Sequence, residues 1–393
     1  MPFKKWKAAI RIAAGMSFLL AGIFAASGAS AASTPANGSQ IASTSDVVQQ
    51  MRQLLAKYSV KPKFSPPGPP LDASKLKGKT IMLVLVDARI GAINDVADAI
   101  KEAASLVGLK TVVFDSKSSP VRMQQGFKEA ILNKADAIVN IGNVVEIIAG
   151  QIKEAKEKGI PTVEVTNSPP IAGVAGQGSD PNTFGNVSPD TRLAGGLMAA
   201  SAIVNTDGHA NVVIMNTSEV TASSVLVDGM KTAMSRCTTC SIVRVTDTPL
   251  SEWTTAITGL TTTIVRSHPE VNYLLPIYSD MGIFAAAGVQ QTTAAHKVSI
   301  ASFSGVPASQ SLIKNGGAYK ANVTEDLDWE GWAVVDQAMR GMLKMKPANP
   351  IAPIRYVEKR DLQGVDTSSA SSISAALFGT EYKDGFMKLW NVK

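Results

Sequence analysis

The stretch TIMLVLVDARIGAINDVADAIKEAASLVGLKTVVFDS, Thr80 to Ser116, decides the reading of the fold. An apolar run ends at Asp87, an amphipathic stretch with Val96, Ile100, Ala103 and Val107 on one face follows, and a second apolar run ends at Asp115. Period-free apolar runs flanking a period-3.6 segment read as two buried parallel strands joined by a helix, a βαβ unit. Gly108 stands where a helix C-cap belongs.

Working outward, the same alternation continues. Strands are predicted at Ile81–Val86, Thr111–Asp115, Ala137–Ile141 and Thr162–Thr166, connected by helices Ile93–Val107, Val121–Leu132 and Val145–Lys158. After the glycine-rich stretch Gly173 to Gly185 the pattern restarts, with strands Val212–Asn216, Ile242–Val245, Tyr273–Pro276 and Val298–Phe303 and helices between them. A last strand, Tyr319–Val323, leads to a helix, Trp329–Leu343. Two βα arrays in tandem predict an α/β protein of two doubly wound parallel-sheet lobes. The repetition is one of architecture, without strong repetition of sequence.

The chain begins with Lys4, Lys5, Lys7 and Arg11, an apolar run from Ile12 to Ala26, and Ala29-Ser30-Ala31. This is the order of a cleavable signal peptide over residues 1–31, with an apolar core short for a spanning helix. No cysteine lies near the cleavage site, which argues against a lipid anchor, and the processed protein is expected in the periplasm or outside the cell. Taking four positive charges from the chain's +6 leaves +2, so the sequence pI of about 9.1 gives no support for nucleic-acid binding. Residues 32–43 are Ala/Ser/Thr-rich and expected to be disordered. Ser45 is placed to cap a helix Asp46–Tyr58, and Lys61 to Pro70 reads as an extended proline-rich linker. The two cysteines, Cys237 and Cys240, lack the partners of a zinc site, and in an exported chain they read as a local disulfide closing the turn before Ser241.

Enzyme signatures fail on context. Gly78-Lys79-Thr80 precedes its strand and lacks the upstream glycine of a phosphate loop. Gly176-Gln-Gly178 lacks the third glycine of a dinucleotide fingerprint. There is no G-x-S-x-G elbow, and His209, His268 and His296 form no metal-ligand pair. Neither a cofactor nor catalysis is expected.

Several phrases, in order, resemble the type I periplasmic solute-binding proteins, especially the ribose/galactose-type receptors of ABC sugar importers. They are Lys101–Gly108, Phe114-Asp115-Ser116, Lys158-Gly-Ile-Pro-Thr162, Gly185-Asn-Val-Ser-Pro-Asp-Thr-Arg-Leu-Ala-Gly-Gly196, Val227-Asp-Gly-Met230 and Tyr278-Ser-Asp-Met281, within residues 78 to 361. The resemblance implies an N-terminal lobe of residues 78–186 plus 325–355 and a C-terminal lobe of 187–324 plus 356–393. Residues 32–77 stand outside as helix and linker. Three crossings are implied near Phe184–Ser188, Val323–Asp326 and Ile354–Lys359, with a ligand held between closing lobes.

The resemblance also locates candidate ligand contacts, and here the chain departs from sugar-binding members. Their charged and aromatic positions fall near Arg89, Gly91, Ala92, Thr166, Asn167, Ser224, Tyr278, Ser304 and Glu325, with Trp253 as a retained aromatic stacker; Asp87 and Ser223 are further candidate contacts. The loss of most charged contacts implies a less polar ligand surface. Each residue also has a plain structural role open to it: Asp87 as a helix cap, Arg89 as a loop charge, Trp253 as core. The resemblance implies a monomeric receptor that delivers a sugar-like or other neutral solute to an inner-membrane ABC permease. An aromatic solute, or a sensor kinase or chemoreceptor as the partner, are the alternatives.

Overall fold

The computed structural model describes residues 43–166, 180–348 and 350–392. The expected signal peptide at residues 1–31, residues 32–42 and Asn167 lie outside the described residues.

The chain runs α1 (Thr44–Tyr58), β1 (Thr80–Leu85), α2 (Gly91–Leu106), β2 (Lys110–Asp115), α3 (Pro120–Leu132), β3 (Ala137–Ile141), α4 (Val145–Glu157), β4 (Thr162–Val165) and β5 (Gly185–Val187). It continues through α5 (Thr191–Asn205), β6 (Asn211–Asn216), α6 (Thr221–Met234), β7 (Ser241–Asp247), α7 (Trp253–Ser267), β8 (Tyr273–Pro276), α8 (Ser279–Gln290), β9 (Ser299–Ser304), α9 (Pro307–Asn315) and β10 (Tyr319–Glu325). It closes with α10 (Leu327–Met342), β11 (Ile354–Glu358), α11 (Ala370–Leu377) and α12 (Glu381–Leu389).

The first lobe is a five-stranded parallel sheet in the order β2-β1-β3-β4-β5. The second is a six-stranded sheet in the order β11-β10-β9-β8-β6-β7, parallel except where β11 runs against β10. The central strands of the two sheets are buried in two separate cores, whereas the edge strands β2 and β7 are largely exposed. Strand β2 is therefore not the buried strand that its apolar run predicts, having a neighbour on one side only. Gly108 and Gly159 take φ of 74° and 77°, the left-handed conformation that ends α2 and α4.

In the second lobe α5 and α6 cross at two glycines. A Cβ at Gly195 would collide with the Leu226 carbonyl, and one at Gly229 with the Arg192 carbonyl. The backbone contact explains the glycine in Val227-Asp-Gly-Met230. The disulfide Cys237–Cys240 forms in the turn between α6 and β7.

The ends of the chain differ from the sequence expectation. Helix α1 starts before Asp46, because Ser43 and Asp46 form a capping box. Its Val47, Val48, Met51 and Leu55 are buried in the core of the second lobe. The proline-rich segment then passes to the first lobe, where Phe64 packs on Trp329 and Phe386 and Leu71 joins the core. The resemblance places the whole tail after β11 in the second lobe. Ile373, Leu377 and Phe378 do pack there, but Tyr382, Phe386, Leu389 and Trp390 are buried in the first. The reason is aromatic: Trp329 and Trp332 on α10 stack on Tyr382 and Trp390, with ring centroids 4.7 and 5.5 Å apart. The terminal segments therefore add two passages between lobes to those made through β5, β10 and the stretch before β11.

Candidate functional site

An internal cleft lies where the carboxyl ends of both sheets meet. Its wall takes Val86 after β1, Gly142 after β3 and Thr166 after β4 from the first lobe. From the second come Val220 after β6, Leu250 and Trp253 after β7, Tyr278 after β8, Ser304 at the end of β9 and Glu325 at the end of β10. Ile90, Ala92 and Ile93 at the start of α2, and Asp280 at the start of α8, complete it. This is where open parallel sheets place ligands, since the loops and helix N-termini converge there. The space is about 50 Å³, with an adjoining compartment of about 80 Å³. That is room for a few waters, so a monosaccharide-sized molecule fits only with the lobes further apart.

The sequence-derived residues divide among several environments. Thr166, Trp253, Tyr278, Ser304 and Glu325 line the main cavity. Asp87 and Arg89 line the adjoining one, together with Ser251, Thr254, Ile283 and Phe284. The Asp87 carboxylate is occupied: Arg89 Nε and Nη2 donate at 2.9 and 2.6 Å, the Arg89 backbone at 2.9 Å and Ser118 Oγ at 2.7 Å. Burial pushes its pKa up, but these bonds outweigh it and hold the group below the ordinary range. Ser223 is buried and Ser224 exposed, and neither lines the two compartments. They sit within the first turn of α6, one facing the core and one facing away from it.

Trp253 serves two purposes. It is 4% exposed within the core of the second lobe, and its Nε1 donates to Thr217 Oγ1 and to the Thr248 carbonyl at 2.9 and 3.3 Å. With the indole N–H used internally, Trp253 has only its ring surface to offer the cavity. Tyr278 lies between it and Phe303, with ring centroids 6.2 and 5.9 Å away. Burial, reinforced by the charge of Glu325, pushes the Tyr278 phenol well above its ordinary value.

Two wall residues bear backbone strain. Thr166 has φ of 60° and Ser304 has φ of 91°, in the region that favours glycine. Such residues cost about 1–3 kcal/mol each and persist where the surrounding structure fixes them. Both close a strand at the cleft.

Asp280 was missed from the candidate contacts, although it stood in the phrase Tyr278-Ser-Asp-Met281. Its Oδ1 accepts the Gly91 backbone N–H of the first lobe at 2.9 Å. Glu330, on α10, lines neither compartment; it is fully buried, and the neighbouring charges of Glu325 and Asp326 add to the burial that raises its pKa. Burial raises Glu325 to about 7, with Ser304 acting against the shift and Asp280 adding to it. Burial likewise raises Asp95 on α2 to about 7, helped by Asp280 and Asp98. Among the described residues no group of side chains has the makings of a metal site.

Two parallel-sheet lobes with a cleft at their strand ends define a two-lobed binding protein rather than a single-sheet nucleotide fold. The chain belongs to the family of the periplasmic binding protein domain, which its residues 81–343 match. Among solved structures it is similar to GanP, a glucose-galactose binding protein from Geobacillus stearothermophilus, at 20% identity over 73% of this chain and 99% of that one, TM-score 0.64. It is similar to a 5-methylthioribose transporter solute-binding protein from Thermotoga lettingae at 17% identity, covering 82% and 99%, TM-score 0.70. An ABC transporter solute-binding protein from Agrobacterium vitis with bound allitol gives 17% identity, 74% and 98% coverage and TM-score 0.65. No curated protein matches the chain.

Proposed function

We propose that this protein is the exported receptor of an ABC importer, capturing a small, sugar-sized solute between its lobes and presenting the closed form to an inner-membrane permease. The observation that carries the reading is the cleft itself, walled by the carboxyl ends of strands from both lobes and bridged by Asp280 and Gly91. A ligand that touches both walls has differential affinity for the closed state, and that difference is what a permease can read. The neighbours with sugars or polyols in their names support a ligand of that size. In this reading the signal at residues 1–31 directs export, and Thr166, Trp253, Tyr278, Ser304 and Glu325 contact the solute. Asp87 and Arg89 border its access, and no chemistry is performed on it.

The wall also supports a ligand with an apolar face. Val86, Ile90, Ile93, Val220, Leu250 and the two aromatic rings outnumber the polar groups. A thermal-shift panel of sugars, polyols and aromatic solutes tests the reading, because a bound solute raises the melting temperature by mass action. The expected result is a saturable shift by a sugar-sized compound, accompanied by compaction in small-angle scattering. The absence of a saturable shift with every member of the panel would sink it.

A further inference from the structure

We infer that the solute carries a positive charge, a protonated amine or quaternary ammonium on a partly apolar body; this rests on the receptor reading above and narrows its ligand. Asp280 and Glu325 both line the cavity, and among the described residues its wall contains no Lys, Arg or His. Asp280 Oδ2 has no hydrogen-bond partner among the described residues, its Oδ1 being taken by Gly91. Behind Glu325, Glu330 is fully buried with neither carboxylate oxygen partnered among the described residues, and Asp95 Oδ2 on the facing helix is likewise without a partner. The arginine of the adjoining compartment, Arg89, is held by Asp87. Asp280 from α8 and Glu325 from β10 thus line one small space, Asp95 and Glu330 bear on these two acids from α2 and α10, and among the described residues no cation stands in the wall.

Buried carboxylates without a cation are costly, and structures keep them paired or neutral. A ligand cation supplies the missing partner. The aromatic side of the cavity agrees, since Trp253 and Tyr278 present ring surface, the preferred neighbour of an ammonium group. A neutral polyol satisfies hydrogen bonds but offers these acids no counter-charge when they ionise. The apolar wall accommodates the carbon body, and Thr166 Oγ1, on the wall and unpartnered among the described residues, is available to a ligand polar group.

The test uses the full purified chain at pH 8 and matched probe pairs: glucosamine against glucose, tyramine against tyrosol, choline against 3,3-dimethylbutanol. Calorimetric titration is expected to show the cation of at least one pair binding tenfold or more tighter than its neutral partner, with Glu325→Gln abolishing the preference. A second readout is independent of the probes: Glu325→Gln should raise the melting temperature of the unliganded protein, because it removes an unpaired charge and preserves shape. Neutral partners binding as well as or better than the cations overturns the charge assignment and leaves the receptor reading standing. A lowered melting temperature for Glu325→Gln makes Glu325 a structural acid and overturns the inference. If no probe binds, and neither these nor the wider solute panel changes the scattering of the protein, both the inference and the receptor reading fall.

Discussion

Asp280 of the second lobe caps a helix of the first. Its Oδ1 lies 2.9 Å from the backbone nitrogen of Gly91, the first residue of α2. The residue in the cap position, Ile90, supplies no side-chain hydrogen bond, so a free N–H at the positive end of α2 is satisfied across the cleft. In the proposed mechanism, closing the lobes completes a helix cap. The contact is tight: a Cβ on Gly91 would lie 3.1 Å from Asp280 Oδ1.

Replacing Asp280 by Ala is expected to favour the open form. A lost N-cap costs about 0.5–2 kcal/mol, which moves a closed-to-open ratio by roughly 2- to 30-fold. The radius of gyration of the unliganded protein should rise, while Asp280→Asn, which keeps an acceptor, should stay near wild type. Identical scattering for Ala and wild type would mean that the contact does not govern closure.

The acids of the cleft set a pH dependence. Glu325 and Asp95 bind protons more tightly in the folded chain, both rising to about 7. The folded state is then favoured most at low pH. Their contribution is complete below the unfolded values near 4 and is lost as pH climbs through about 7. For Glu325, buried and faced by Asp280, Ser304, Tyr278 and Glu330, a shift from 4.5 to about 7 corresponds to on the order of 3 kcal/mol. Urea denaturation of the unliganded protein from pH 4.5 to 8 should show falling stability across that window. The slope should shrink in Glu325→Gln; an unchanged slope would exclude Glu325 as its source.

The body of the fold was legible because its signals are local. The strands at Ile81 and Ala137 are almost wholly apolar, and the stripe Val96, Ile100, Ala103 has helical period. The terminal segments were less legible, because what places Phe64, Tyr382 and Trp390 is contact with Trp329 and Trp332 on a helix distant in sequence. The site shows the same divide. Thr166, Trp253, Tyr278, Ser304 and Glu325 follow strand ends and could be placed by resemblance. Asp280 could not, because its role is a hydrogen bond between lobes that no pattern of one lobe contains. Asp87 was read as a possible ligand contact, yet four donors from its own lobe already occupy it.

The glycine crossing of α5 and α6 yields a stability prediction. Gly229→Ala drives a methyl group into the Arg192 carbonyl, a backbone group that cannot swing aside. Overpacking of this kind costs about 1–3 kcal/mol. The same change at Gly259 on α7, where a Cβ meets nothing within 4 Å, is expected to be neutral or stabilising. Urea midpoints of the two variants separate the cases; equal midpoints would show that the helices can slide apart at no cost.

The terminal helix gives the last prediction. Trp390 is fully buried, stacks on Trp332, and donates from Nε1 to Asp336 Oδ1 at 2.9 Å. Asp336 is itself paired with the buried Arg340, whose Nη2 also donates to the Pro69 carbonyl at 3.0 Å. One ion pair thus ties α10, the proline-rich segment and the chain end together inside the first lobe. Trp390→Ala removes both the ring and the hydrogen bond, and about 3–5 kcal/mol of stability is expected to go with them. Trp390→Phe keeps most of the packing and should cost about 1–3 kcal/mol, the price of leaving a buried acceptor short of a donor. Because these contacts belong to the first core, amide exchange should accelerate in β1, β3 and β4 of Trp390→Ala before it does in β6, β8 and β9. Equal acceleration in both sheets would show that the lobes unfold as one unit, and no acceleration in either would show that the terminal helix is dispensable to the first lobe.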